Sequence, residues 1–369
     1  MNWKVPYVNY KIAYQNMKDE IHSALNRVMT TGDLILRKDV EEFEKNFAKF
    51  QGAKYGVGVN SCTDAMRLSL RLISRYHDYS EVIVSAHTFL ATIDAIKDAR
   101  YNPILVDVGS DYNINTKLIE QKITGATIAI MPVHLNGRCC NMDAIMDIAN
   151  KYELTVIEDA AQGIGASYKG KNAGTFGLFG CFSFFPAKIL GTIGDGGMIL
   201  TDNKELADKL RAMRDYGRVK DRDEVIMYGQ NSRLDNIHAA ILSMKMKYLE
   251  GWIHRRREIA RYYYGRLVQV ETVSLPPCPT DGDYYDTFQN FAIMVHDRDE
   301  LVEHLRSKGV ETLVHWQVPI HKNEALGLQY DDLKHTEKIS REVLSLPMYP
   351  ELTNEQVEYV CDVIEGYYG

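Results

Sequence analysis

The sequence has no CxxC pair among its six cysteines, no apolar run approaching the ~20 residues of a membrane span, and no excess of basic charge. Each absence removes a class of function. Cys62, Cys139, Cys140, Cys181, Cys278 and Cys361 lack the spacing of a structural zinc site, and the adjacent Cys139-Cys140 cannot easily clamp one ion, so no metal is expected. A formal net charge of -7 leaves no general basic face, which argues against nucleic acid as a partner. The opening Met1–Tyr7 has no signal-peptide core, so a cytoplasmic location without membrane attachment is expected, with reduced cysteines. Dinucleotide and hydrolase motifs are missing too. Gly163-Ile164-Gly165 runs into Ala166-Ser167-Tyr168, an incomplete GxGxxG, and Gly191–Gly197 follows no clear strand and opens no helix. There is no GxxxxGK[ST] loop and no GxSxG elbow.

What is present is an alternation of strand and helix patterns. The 369 residues suit two domains, with ordinary proportions of 45% hydrophobic and 25% charged residues. Helical spacing over Met17–Met29 and Val40–Phe50 precedes a short strand, Tyr55–Asn60, and a helix from Ala65 to Tyr76. Strands follow at Glu81–Ser85, Pro103–Val108, Thr127–Met131 and Leu154–Ile157, with helices at Thr92–Asp98 and Asn141–Tyr152. Strands about thirty residues apart and apolar throughout imply βαβ units in a mostly parallel, covered sheet. Strand order is not readable. After a strand at Gly197–Thr201 and a helix from Asn203 to about Tyr216, Asp215–Gly229 reads as a mobile loop. Leu234–Leu267 reads as one long or kinked helix, with Arg255, Arg256, Arg257 and Arg261 on a solvated face. The chain then changes character: strand Phe288–Val295, helix Asp297–Lys308, strand Glu311–Val314, a proline-rich turn and a last helix Thr353–Tyr367. The expected division is a large α/β domain, 1–250, and a small α+β domain, 251–369.

Candidate chemistry lies where parallel strands end. Val156-Ile157-Glu158-Asp159 is an apolar run closing on carboxylates. Ser183-Phe184-Phe185-Pro186-Ala187-Lys188 sets a lysine between aromatics and the glycine-rich Gly191–Gly197. Partial desolvation favours the neutral amine, which can form a Schiff base with an aldehyde cofactor. A buried Asp159 needs a cation, and a pyridinium would serve. Ser61-Cys62-Thr63, between strand and helix, can offer backbone N–H groups to a phosphate. Taken singly, each has an ordinary alternative: Lys188 as a snorkelling lysine, Asp159 as a cap or ion pair, Ser61 and Thr63 as caps, Phe89 as core.

The order of these motifs resembles the DegT/DnrJ/EryC1/StrS sugar aminotransferases over nearly the whole chain. Val57–Ala65, Pro132–Gly137, Ile157–Gln162, Ser183–Lys188, Gly194–Gly197, Asn231–Asp235 and His315–His321 all fall in that family's order. The resemblance implies a fold type I enzyme using pyridoxal 5'-phosphate. It gives Lys188 the Schiff base and the proton transfer, and Asp159 the pyridine nitrogen. Gln162 would lie by the phenolic oxygen, and Phe89 would stack on the ring. Cys62, Thr63 and Ser183 would contact the phosphate, with Asn231 reaching it from a second subunit, so a homodimer with shared active sites is implied. L-glutamate is the implied donor and a nucleotide-linked keto sugar the acceptor, in amino-sugar biosynthesis for a surface polysaccharide or glycoside. The branch that dehydrates sugars carries histidine where Lys188 stands. The opening Val5–Lys11 and the run Val314–His321 are closer to members that aminate dTDP-linked 3-keto-6-deoxy sugars. His315 and His321 match a loop near the sugar, with a surface turn as the alternative. Cys62, Asn136 and His238 stand where glycine, tyrosine and glutamine are common. A GDP- or UDP-linked 4-keto sugar aminotransferase, a pyridoxal phosphate dehydratase and a non-catalytic regulatory relative are the competing readings.

Overall fold

A computed structural model describes residues 3–73, 80–219, 224–328 and 330–369. Its centre is a seven-stranded sheet of Tyr55–Val59 (β1), Glu81–Ser85 (β2), Asn102–Val106 (β3), Thr127–Met131 (β4), Thr155–Asp159 (β5), Phe179–Ser183 (β6) and Gly197–Thr201 (β7). The spatial order is β1-β7-β6-β5-β4-β2-β3, and β7 alone runs against the others. The mostly parallel α/β sheet expected from the apolar strands is therefore present.

The strands are apolar throughout because both faces are covered. Val82, Val84, Ala129, Met131, Ile157 and Ile199 point into one cluster with Met66 and Ile93. Their neighbours Ile83, Ile130 and Val156 point to the other side, against Ile145 and Ala149. This alternation is the period-2 geometry of a strand. Helices Tyr10–Thr31 (α1), Lys38–Gln51 (α2), Cys62–Leu72 (α3), Leu90–Asp98 (α4), Met142–Lys151 (α5) and Lys204–Met213 (α6) surround it. Phe47 of α2 meets Phe182 and Phe184 edge-to-face at 5.1 and 5.0 Å, and Phe43 meets Phe184 at 5.1 Å. Such pairs add about 0.5–1.5 kcal/mol each beyond burial, and they pin the chain just ahead of Lys188.

Caps move two helix starts upstream of the apolar pattern. Asn9 caps α1 by accepting from Ile12 N–H, so the helix begins at Tyr10, seven residues before its first buried side chain, Met17. Ser61 caps α3 by accepting from Asp64 N–H at 3.1 Å, so Cys62 and Thr63 lie in its first turn and not in a preceding loop. The end expected at Tyr76 lies outside the described residues.

The long helix from Leu234 is broken. Asn236–Lys245 (α7) and Leu249–Leu267 (α8) are separated by a 3₁₀ turn, Met246–Tyr248. Two arginines of the run do not lie on a solvated face, which corrects that expectation, while Arg261 is exposed and Arg255 half-buried. Arg256 and Arg257 are buried, 4% and 1% exposed. Arg256 donates to the carbonyls of Phe288, Gln289 and Met348, and Arg257 to those of Asp286 and Thr280 and to the Asp281 carboxylate. Part of Asp215–Gly229 is ordered: Arg218–Val219 pairs with Glu224–Val225 across 220–223, which lie outside the described residues.

Beyond α8, Phe291–Met294 (β8) pairs antiparallel with Val343–Leu346 (β9), and Arg298–Ser307 (α9), Lys334–Glu342 (α10) and Asn354–Tyr368 (α11) flank them. The strand expected at Glu311–Val314 is reduced to a single bridge, Leu313 with Ser345. The helix α10 and the strand β9 fall where only a proline-rich turn was expected. A second hydrophobic cluster joins Ile259, Tyr263, Phe291, Ile293, Leu344 and Ile364 with Val5. Val5 bridges to Val310. Among the described residues no helix is long and apolar enough to cross a membrane.

Candidate active site

The carboxyl ends of β1, β2, β4, β5 and β6 converge on one region, and most of the candidate residues stand there. Asp159 closes β5 and is buried. Its Oδ2 accepts from the Thr92 hydroxyl at 2.8 Å and its Oδ1 from Ala161 N–H at 3.1 Å. Because the Thr92 proton goes to the carboxylate, Thr92 accepts in turn from Thr88, 2.7 Å away. Burial pushes Asp159 above the usual carboxylate range, opposed by the Ala161 and Thr92 bonds and by the charge on Lys188.

Lys188 is half-buried past β6. Burial lowers its ammonium below the ordinary lysine value, against the opposing pull of Cys62 and Asp159. The backbone on either side is bracketed by one side chain: Gln289 accepts from Ile189 N–H at 3.0 Å and donates to Ala187 C=O at 2.8 Å. Lys188 N–H donates to Phe185 C=O at 2.9 Å. The amine therefore projects from a fixed turn.

Cys62 is buried, its Sγ 4.0 Å from Asp159 Oδ1, and Thr63 is half-buried beside it. Burial, with Asp159 next, raises the Cys62 thiol well above its ordinary value, so it stays protonated. Gly197 lets β7 press on this turn: a Cβ there would lie 2.3 Å from the Ser61 carbonyl carbon. Ser183 is buried and accepts from Phe185 N–H at 3.3 Å. Phe89 is 58% exposed. It tilts toward Trp316, whose ring also meets His87 and His315.

Gln162 Oε1 accepts from Asn136 N–H at 2.8 Å and from Asn290 Nδ2 at 3.3 Å. His315 is held through Nδ1 to Ser345 Oγ, 2.9 Å, and sits close enough to Lys188 for the two charges to interact. Burial and that charge depress it to about 4, so it is neutral near pH 7. His321 is turned elsewhere: it is buried with Nε2 on Glu337 Oε1 at 3.1 Å. Asn231 is exposed, bridged to Asp215, next to Ser232, which binds Asn60 N–H and Asp64. His238 supports the Gly194–Gly197 loop through Asp195 C=O at 3.0 Å.

Several contributors escape a reading of the sequence. Thr88 and Thr92 are four apart around the start of α4, a spacing that puts hydroxyls on one side, and that signal was available. Gln289, Asn290 and Trp316 had none that local pattern could supply. Glu158 is the other. It is fully buried and accepts from the N–H groups of Gly174, Phe176 and Gly177, each at 2.7 Å, and from His134 Nε2 at 2.8 Å. Cys140 N–H donates to His134 Nδ1, which puts the imidazole proton on Nε2. Glu158→Ala leaves four donors unmatched, two of them buried and two half-buried, and is expected to destabilise the protein by roughly 4 kcal/mol, measured by denaturant unfolding. A loss under about 1 kcal/mol contradicts this account.

Residues 15–365 match the sequence profile of the DegT/DnrJ/EryC1/StrS aminotransferase family. A dTDP-3-amino-3,6-dideoxy-alpha-D-galactopyranose transaminase of Aneurinibacillus thermoaerophilus is 40% identical, over 98% of this chain and 99% of its own. A Geobacillus stearothermophilus protein named as a pleiotropic regulatory protein is 39% identical over 99% and 98%. The crystal structure of S. venezuelae DesV in complex with a ketimine intermediate superposes with a TM-score of 0.94, at 36% identity, covering 99% of this chain and 98% of that one.

Proposed function

Because the chain belongs to the DegT/DnrJ/EryC1/StrS aminotransferase family, we propose that it moves an amino group from L-glutamate to a nucleotide-linked keto-6-deoxy sugar, with dTDP-3-keto-6-deoxyhexose as the preferred acceptor. The chain is an aminotransferase, and its cofactor is pyridoxal phosphate. The residues fit that group. Asp159 is a buried carboxylate that accepts from a hydroxyl, a backbone N–H and the Cys62 thiol, leaving a cation to hold it ionised. Lys188 is an amine driven toward its neutral form, and the N-terminus of α3 faces the same region with Ser61 as its cap. When bound, pyridoxal phosphate supplies an electron sink for the carbon that gives or takes the amine.

The protein's own part is positioning and proton transfer. Lys188 carries the cofactor and then takes and returns a proton at its amine, for which a lowered basicity is suited. Asp159 keeps the ring nitrogen protonated, and Thr92 with Thr88 orients the carboxylate. Cys62, Thr63 and Ser183 hold the phosphate, joined by Asn231 from the second subunit of a homodimer with shared sites. Phe89 covers one face of the ring. His315, neutral and beside Lys188, lines the sugar pocket, and His321 orders the same loop through Glu337. The proposed division into 1–250 and 251–369 is supported by the second core, which starts within α8, although Val5 crosses to it.

The observation that carries this reading is the buried Asp159 within electrostatic reach of a lysine of lowered basicity. The preference for a dTDP-linked 3-keto sugar is supported by the Aneurinibacillus relative's name. The regulatory name borne by the Geobacillus relative favours a second reading, a protein of this fold that does not turn over. One panel separates them: 3-keto and 4-keto sugars on dTDP, UDP and GDP, each with glutamate, read by mass spectrometry. A 3-amino dTDP-sugar is expected. Amination at C4 alone overturns the position, preference for UDP or GDP overturns the nucleotide, and no amination of any acceptor favours the regulatory reading.

A further inference from the structure

Gln162 is linked by hydrogen bonds to Asn136 and Asn290, and through Asn290 to Tyr7, and their chemistry leaves one orientation for its amide. The Asn136 N–H can only donate, so the atom of Gln162 lying 2.8 Å from it is the oxygen. That same oxygen is 3.3 Å from the Asn290 side chain, which must therefore present its NH₂ there. The NH₂ also donates to Asn136 Oδ1 at 2.9 Å. The Asn290 oxygen is left on the side away from Gln162 and accepts from the Tyr7 hydroxyl at 2.9 Å. Every amide in the chain of bonds is thus set by a single backbone donor.

The backbone reinforces the arrangement. Asn136 is in the left-handed region, φ 56°, which aims its N–H at Gln162, and asparagine is among the few side chains that adopt this conformation readily. Gly137 follows at φ 86°, and a Cβ there would stand 2.6 Å from the backbone nitrogens of Phe288 and Gln289. Thr287 N–H donates to Gly137 C=O at 2.8 Å. The turn that carries Asn136 is therefore seated on the segment that carries Asn290.

We infer that Asn290 and Tyr7 are positioning residues that hold Gln162 with its oxygen occupied and its NH₂ free, making it an obligate donor toward the cofactor's phenolic oxygen. The inference rests on the proposed placement of Gln162 beside that oxygen. A donated N–H favours the anionic phenolic oxygen and draws negative charge away from the adjacent linkage to Lys188. Losing the donor leaves that linkage more basic.

The test is the pH midpoint of the visible cofactor band of the holoenzyme, compared among wild type, Gln162→Ala, Asn290→Ala, Tyr7→Phe and the double variant Gln162→Ala/Asn290→Ala. Gln162→Ala is expected to raise the midpoint by about one pH unit, the size of one hydrogen bond to a charged oxygen. Asn290→Ala is expected to raise it in the same direction, Tyr7→Phe by less, and the double variant no further than Gln162→Ala alone. Thermal unfolding is followed alongside, since a merely structural role lowers the melting temperature without moving the midpoint. If Gln162→Ala moves the midpoint and Asn290→Ala and Tyr7→Phe do not, the positioning role is wrong. If Gln162→Ala does not move it, the cofactor placement of Gln162 is wrong, and the positioning role falls with it. If Asn290→Ala does not fold, Tyr7→Phe decides: a raised midpoint supports the role and an unmoved one overturns it.

Discussion

Lys188→Ala is expected to lower the rate of amination by about 10³-fold or more, because it removes both the amine that carries the cofactor and the group that moves the proton. The fold should survive. The segment is held by bonds that alanine keeps: Lys188 N–H to Phe185 C=O, and Gln289 to Ala187 and Ile189. The aromatic contacts of Phe182 and Phe184 are untouched as well. Circular dichroism and the melting temperature should therefore stay close to wild type while the visible band of the lysine-linked cofactor disappears. Turnover of a keto sugar with glutamate at the wild-type rate would sink the role given to Lys188.

Asp159→Asn is expected to slow amination by about 10²–10³-fold, the scale on which one preorganised electrostatic contact to a reacting group acts. Its effect on the cofactor-free protein should run the other way. Burial raises the folded-state pKa of Asp159 above the ordinary 3.8. An acid with a raised folded pKa binds more protons folded than unfolded, so its ionisation weakens the fold as pH climbs from about 3.8 through the folded value and stays unfavourable above it. Asparagine removes that penalty: its oxygen can still accept from Ala161 N–H, and its NH₂ can donate to Thr92, whose hydroxyl then donates to Thr88. At neutral pH the cofactor-free variant should melt no lower than wild type, and it should retain pyridoxal phosphate less well. A variant that keeps full activity removes Asp159 from the mechanism. One that melts far below wild type without cofactor removes the account of its burial.

The parts of the molecule that could be read along the chain are those whose physics is local or periodic. The strands were legible because both faces of the sheet are covered and each run is continuously apolar. Asp159 was legible because it closes such a run, and Lys188 because it stands between aromatics and a glycine-rich loop, five residues past β6. Helix starts were less so: the cap Asn9 precedes an exposed turn of α1, and the apolar pattern begins only at Met17. Helix α10 was missed because Lys334–Glu342 offers Ile339 as its single large apolar side chain, with Thr336 and Ser340 completing the buried face. Arg256 and Arg257 were misjudged for a different reason. What buries them is a set of carbonyl oxygens at Asp286, Phe288, Gln289 and Met348, and no spacing within α8 announces a distant acceptor. The same holds for Tyr7 and Asn290, hydrogen-bonded across 283 positions of sequence.

Val5 has a consequence for how the protein is made. Its N–H donates to Gly309 C=O, and its C=O accepts from Glu311 N–H, inside a core that also needs Ile364. Val5 therefore belongs to a core that cannot close until residues more than three hundred positions later have been made. The growing chain must keep that segment unpaired until Ile364 has been made, while the sheet from β1 to β7 can assemble earlier. A nascent chain halted shortly after α8 should hold a formed sheet with the segment around Val5 still open to proteases, and extension past Ile364 should close that core.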